Sequence, residues 1–287
     1  MITRWSDGSA DDNMAEDILV DLGGLIARHP WWRARADLTL TLLVRLGVRP
    51  PMRVLDVGCG WGRTLEALER RGYRASGADI SRRALEQLDR PGRELVEADL
   101  TKPLPEGIEP YDAVLALDVL EHLDDDRAAV ARLGALARPG GVVVVSVPAL
   151  PDLFTEFDQI QGHRRRYLPE TLRAAFERTG LVIERVFYWG AWLVPMLRRQ
   201  RSRRRARAGE STAQVYQRYL SLPPWPLPWL LRAAFALERN RALDGKLRTG
   251  TSLFAVARQP ARPLAAQPGV APQREYHEPA WRCSGQN

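Results

Sequence analysis

The stretch Val54-Leu55-Asp56-Val57-Gly58-Cys59-Gly60-Trp61-Gly62 begins as a short apolar run and ends with glycine at every second position. It predicts a buried strand that feeds a glycine turn and then a helix. Such a turn presents unpaired backbone N–H groups and the positive end of a helix dipole, and so suits an anionic or polar ligand. A dinucleotide fold needs G-x-G-x-x-G, with its third glycine five positions after the first. Counting from Gly58, that position holds Arg63, which argues against a nicotinamide enzyme.

Outward from this turn, residues 53–147 alternate short β-branched runs with amphipathic stretches, the pattern of a parallel sheet covered by helices. Strands are predicted at 53–57, 74–78, 94–97, 113–117 and 142–147, with helices beginning near Arg63, Ser81, Asp125 and Pro169. Ser81 is a good N-cap. The run Arg138-Pro139-Gly140-Gly141 reads as the turn that ends one helix and feeds the fifth strand. Two further strands are expected at 181–189 and 251–257. Residues 11–46 read as two helices separated by His29-Pro30-Trp31-Trp32-Arg33. The domain plan is a helical cover over 1–46, one α/β domain over 47–258 with an insertion at about 190–250, and a disordered tail over 259–287, where proline, glutamine and alanine dominate.

The glycine turn does not stand alone. An acid, Asp56, lies two residues before Gly58, and Asp79 ends the second strand in Gly77-Ala78-Asp79-Ile80, where a carboxylate can accept both hydroxyls of a ribose. Glu97-Ala98-Asp99-Leu100 follows the third strand, and YDAVLALDVLEHL (111–123) and LARPGGVVVVSVP (136–148) complete the series. In this order the landmarks resemble those of class I S-adenosylmethionine-dependent methyltransferases. The resemblance implies a Rossmann-like seven-stranded sheet with an insertion before its last strand, and S-adenosylmethionine as cofactor. It implies that Gly58, Cys59, Gly60 and Gly62 wrap the amino-acid end of the cofactor and that Asp56 helps hold its ammonium. It also sets Ile80 against the adenine, Asp99 at the adenine amino group with Leu100 beside the ring, and Leu117 beside the methionine portion.

Two segments outside the core, His29-Pro30-Trp31-Trp32-Arg33-Ala34-Arg35 and Gln161-Gly162-His163-Arg164-Arg165-Arg166-Tyr167, are similar to stretches of the ubiquinone-type O-methyltransferases. They direct the acceptor reading to an oxygen of a small molecule, sugar or lipid-linked metabolite. His163 is the candidate general base, because a neutral imidazole can take a hydroxyl proton near pH 7. His122 is the second catalytic candidate. Trp32 and Tyr167 are candidate walls of the acceptor site, and Arg166 a candidate anchor for an anionic acceptor. The alternatives are a core role for the aromatics and an ion pair with Glu170 for the arginines.

Composition narrows the rest. With 45% hydrophobic residues over 287 positions the chain can bury a core. Its two cysteines, Cys59 and Cys283, make neither a disulfide framework nor a zinc site by themselves, and no metal ligands are expected. The net charge of +7 equals the seven arginines of residues 198–207, RRQRSRRRAR. This run, flanked by Trp189, Trp192, Trp225 and Trp229, suits an anionic membrane surface, or else belongs to a helical subdomain with buried tryptophans. Nucleic-acid or protein methylation and cofactor binding without catalysis are the competing classes. The acidic amino-terminal stretch lacks a signal-peptide core, and no apolar run is long enough to span a bilayer, which predicts a cytoplasmic protein with peripheral membrane contact through the arginine run.

Overall fold

The computed structural model describes residues 1–6, 29–200 and 227–261, together with residues 24, 26, 214, 215 and 218. Its centre is an eight-stranded sheet in the order β1-β4-β3-β2-β5-β6-β8-β7. The strands are β1 (Ile2–Arg4), β2 (Arg53–Val57), β3 (Arg74–Asp79), β4 (Glu94–Glu97), β5 (Tyr111–Leu117), β6 (Ala137–Pro148), β7 (Val182–Trp189) and β8 (Ser252–Arg258). The first six are mutually parallel, and β8 runs antiparallel between β6 and β7.

The expected seven strands are all present, and the eighth is β1. Three residues carry too little pattern to declare a strand. What makes Ile2–Arg4 extended is the open edge of β4, which it pairs in parallel, an effect of context rather than propensity.

The helices are α1 (Pro30–Arg45), α2 (Arg63–Arg70), α3 (Arg82–Leu88), α4 (Asp126–Leu136), α5 (Glu156–Ile160), α6 (Pro169–Ala174), α7 (Leu193–Gln200) and α8 (Leu227–Leu243). Residues 24 and 26 are helical and α1 starts at Pro30, so within the stretch His29–Arg33 only His29 lies between the two expected helices, and Pro30–Arg33 form the first turn of the second. His29 accepts the Trp31 N–H as N-cap and Pro30 takes the first helical position, where its missing N–H costs nothing. Ser81 and Asp125 cap α3 and α4 in the same way. Most of the first expected helix, the arginines at 201–207, Trp225 and the tail beyond residue 261 lie outside the described residues. The Arg138–Gly141 run is not a free turn: it is the opening of β6, bulged against β5 between Tyr111 and Ala113, with Gly140 at φ +76°.

Strand residues alternate between two cores, as the period of two requires. Val143, Val145 and Val147 of β6 join Val114, Ala116 and Leu133 on one side, under α4 and α6. Val142 and Val144 join Ala113, Leu115, Leu42 and Phe254 on the other, under α1 and α8. Trp189 and Trp192 also sit on this second side, each about 5 Å from Phe235, whereas Trp229 is 64% exposed. No helix among the described residues is long and apolar enough to cross a membrane. This arrangement turns the C-terminal ends of β2, β3, β4 and β5 toward one rim of the sheet.

Candidate functional site

The glycine turn follows β2, and its geometry explains its composition. Gly58, Gly60 and Gly62 have φ of +70°, +45° and +68°, a region that side chains resist. A Cβ on Gly58 would stand 2.4 Å from Val119 Cγ2, and one on Gly62 2.7 Å from Leu88 Cδ2. The turn is pinned to the neighbouring strand: the N–H groups of Gly58 and Cys59 donate to Ala78 O at 2.8 and 3.0 Å. The Gly60 N–H donates to Asp79 Oδ2 at 2.8 Å, and the Ser81 N–H to Asp79 Oδ1 at 2.9 Å. Asp79 is therefore the hub between the turn and the end of β3. Cys59 is buried, and burial pushes its thiol well above the ordinary range.

Asp99 lies just beyond β4 and is buried, its Oδ1 accepting the Thr101 N–H at 2.7 Å. Leu100 and Leu117 are buried and Ile80 half-buried. Asp56 is buried beside the turn. Burial raises its carboxyl to about 7; Arg35 opposes the rise and the charge of Asp79 adds to it. The expected cofactor residues thus gather on one rim, where a Cβ-free cradle adjoins the buried acids Asp56, Asp79 and Asp99. That donor set fits a ligand carrying an ammonium at one end and a ribose at the other.

Arg35, of the 29–35 segment, has no role legible in the sequence. The structure places its largely buried side chain in an ion pair with Asp118 and its guanidinium over the Trp31 ring, 4.8 Å from the centroid. It also acts electrostatically on Asp56 and Glu121. Asp118 has φ +61° and accepts the Ser146 hydroxyl at 3.1 Å. Trp32 packs edge-on to Trp61 of the glycine turn at 6.1 Å.

The second half of the site lies where β5 ends and the 155–167 segment crosses it. His163 Nδ1 is 3.2 Å from Asp158 Oδ1, its Nε2 is 3.9 Å from Glu121 Oε1, and its ring meets His122 edge-on at 4.9 Å. Asp158 is itself held by the Thr155 N–H at 2.8 Å and by Arg166 at 2.7 Å. Burial alone would raise the Asp158 carboxyl, but His163 and Arg166 hold it below the usual value. Glu121 is fully buried, and neither carboxylate oxygen finds a hydrogen-bond partner among the described residues. Burial first, and the charge of Asp118 second, lift its pKa well above the carboxylate range.

Four side chains of the 164–167 run take other posts than a wall or anchor of the acceptor site. Arg166 points to Asp158 and the Ala149 carbonyl, and its side chain is 10% exposed. Arg164 pairs with Asp124, and Arg165 with Asp126 at 3.6 Å. Tyr167 is buried, its hydroxyl 3.2 Å from Leu120 O and 3.0 Å from Asp126 Oδ2, so it is a core residue. Glu121 and Asp158 were missed by sequence reasoning. The LDVLEHL motif contains the first, whereas nothing local marks the second.

A family model described as "Methyltransferase domain" matches residues 31–186. The chain belongs to this methyltransferase family. A ubiquinone biosynthesis O-methyltransferase of Alkalilimnicola ehrlichii is 38% identical over 108 residues, 35% of this chain and 43% of that protein. An uncharacterized methyltransferase of Mycobacterium bovis is 36% identical over 129 residues, 42% of this chain and 63% of its own. The aligned parts are thus less than two thirds of either relative. Among solved structures, the methyltransferase in complex with the Haloferax volcanii Trm112 activator superposes with a TM-score of 0.54 at 21% identity, over 88% of this chain and 98% of its own. That likeness establishes the class I methyltransferase fold.

Proposed function

We propose that this methyltransferase uses S-adenosylmethionine to methylate an oxygen of a small-molecule, sugar or lipid-linked acceptor. The observation that carries the reading is the Gly58–Gly62 turn tied through the Gly60 N–H to Asp79, beside buried Asp56 and Asp99. The relatives named for ubiquinone O-methylation support the choice of oxygen. When bound, the cofactor supplies a methyl group on a sulfonium that is its own leaving group, so the protein's task is mainly alignment and water exclusion. Asp56 and Arg35 flank the amino-acid end, Asp79 takes the ribose hydroxyls, and Asp99 with Leu100 the adenine. His163 accepts the acceptor's hydroxyl proton, and Asp158, fixed by Arg166, orients the ring for it. His122 and Trp32 shape the approach. Transfer of labelled methyl into fractions of a cell extract tests the reading: label in the lipid or small-molecule fraction supports it, and label confined to nucleic acid or protein overturns the acceptor class.

A second reading is favoured by buried Glu121, whose carboxylate oxygens accept no hydrogen bond among the described residues. The ligand atoms of Glu121, His122 and His163 all lie within 4.8 Å of one another. Two ligands about 2.1 Å from one cation sit at most about 4.2 Å apart, a limit the 3.9 Å separation of Glu121 and His163 already meets. A divalent cation held there would make His163 a ligand rather than a base. Elemental analysis of purified protein and chelator sensitivity separate the two: stoichiometric metal favours the cation, and full activity in chelator favours the base.

Peripheral membrane contact remains our reading for the arginine-rich insertion, supported by exposed Trp229 and Leu230 on α8. Binding to anionic vesicles at low salt tests it, and absence of binding refutes it.

A further inference from the structure

We propose that Ser6, delivered by the edge strand β1, positions Asp99 and thereby sets how the protein recognises the adenine amino group. This rests on the cofactor reading above. Strand β1 is short but thoroughly anchored. Ile2, Thr3 and Arg4 pair in register with Leu95, Val96 and Glu97. Arg4 adds an ion pair to Glu97 at 3.2 Å, and the Trp5 N–H continues the ladder to Glu97 O at 2.9 Å. One residue further on, Ser6 Oγ accepts the Asp99 backbone N–H at 2.8 Å. A slip of one residue in this pairing would carry Ser6 away from that donor, so the ladder sets the contact.

The contact matters because of what Asp99 lacks elsewhere. Its N–H sits in a buried residue just past the end of β4, and a buried amide needs a partner. Among the described residues it finds one in the Ser6 hydroxyl. On the other side, the Ala98 N–H donates to Asp79 O at 2.9 Å, tying the adenine acid to the ribose acid. Asp99 is thus held from β3 on one flank and from Ser6 on the other, while its own Oδ1 is oriented by the Thr101 N–H. Trp5 packs onto the same apolar cluster that contains Leu100, so the segment forms an outer wall on the adenine side. Ser6 is a positioning residue: it acts on the ligand through Asp99.

Calorimetric titration of the full chain with S-adenosylhomocysteine and with its 6-oxo (inosyl) analogue tests this. Ser6→Ala should weaken S-adenosylhomocysteine up to about tenfold, the scale of one lost buried hydrogen bond, and narrow the preference for the amino form. Ser6→Thr, which keeps the oxygen, should restore both, and kcat at saturating cofactor should not move. A preference that collapses in Asp99→Ala but stays intact in Ser6→Ala overturns the proposal and leaves the cofactor reading standing. A preference unchanged in Asp99→Ala overturns the adenine assignment and the proposal with it.

Discussion

Lowering the pH from 7 to 5 should weaken cofactor binding through one group, Asp56. In the unliganded protein burial holds its carboxyl near 7, against the pull of Arg35, so below that pH it carries a proton. A cationic ammonium is held by the ionised form, and binding must then expel the proton. Each pH unit below the raised value costs about 1.4 kcal/mol. At pH 5, about two units down, the penalty is about 2.7 kcal/mol, roughly a hundredfold in Kd. The sign for stability is linked. A folded-state value above the unfolded one means the unliganded protein loses stability as pH rises from the ordinary carboxylate range to about 7, and saturating ligand should flatten that loss. Titration of S-adenosylhomocysteine at pH 6 in two buffers of different ionisation heat should find close to one proton released per ligand. Asp56→Asn should bind more weakly at pH 7.5 and lose the slope between pH 5 and 7. A pH-flat Kd in the parent with no proton release would refute the assignment of Asp56 to the ammonium.

Gly58→Ala should abolish detectable cofactor binding in calorimetry and lower stability by about 1–3 kcal/mol, since its Cβ would meet Val119 at 2.4 Å with φ at +70°. His163→Ala should cut kcat by about a hundredfold or more while the Kd for S-adenosylhomocysteine holds, and an unchanged kcat would remove it as the base. Arg166→Leu, which strips Asp158 of its 2.7 Å partner, should lower kcat in the same direction by a smaller factor, read in the same assay. Phe254→Ala should cost about 3–5 kcal/mol in denaturant unfolding, because the ring is fully buried and stacked on Phe187 at 5.3 Å.

The parts legible in the sequence were those written locally. Strand β6 carries the continuous apolar run Val142–Val145, Ser81 and Asp125 are capping residues, and positive φ at Gly58, Gly60 and Gly62 follows from alternating glycines. What escaped was written across the chain. Arg35 meets Asp118 over 83 positions and Asp99 meets Ser6 over 93, and no window of sequence contains either pair. Glu121 is one polar residue of a strand-end motif, and that its carboxylate is buried with no hydrogen-bond partner among the described residues emerges only once the fold brings the 155–167 segment against it. Strand β1 escaped for a similar reason, since its conformation is imposed by the edge of β4.

The three consecutive arginines illustrate how a local reading can name the right residues and the wrong task. A cluster of guanidinium groups beside a candidate base suggests an anion site, yet these groups are committed to the protein itself. The Arg164 N–H donates to Glu121 O at 2.8 Å and its Nε to His122 O at 2.7 Å, while Arg165 reaches Leu123 O at 3.0 Å. Together with the Tyr167 hydroxyl against Leu120 O, these bonds lay residues 164–167 along the backbone of residues 120–123. Carbonyl groups left open where β5 ends are satisfied in the process, as buried backbone requires. His163, one residue ahead of this seam, is thereby fixed against Glu121 and His122, and Arg166 fixes Asp158 behind it. The positive charges serve precision rather than attraction: they hold two loops, about 40 residues apart in sequence, at the spacing on which both roles proposed for His163 rest.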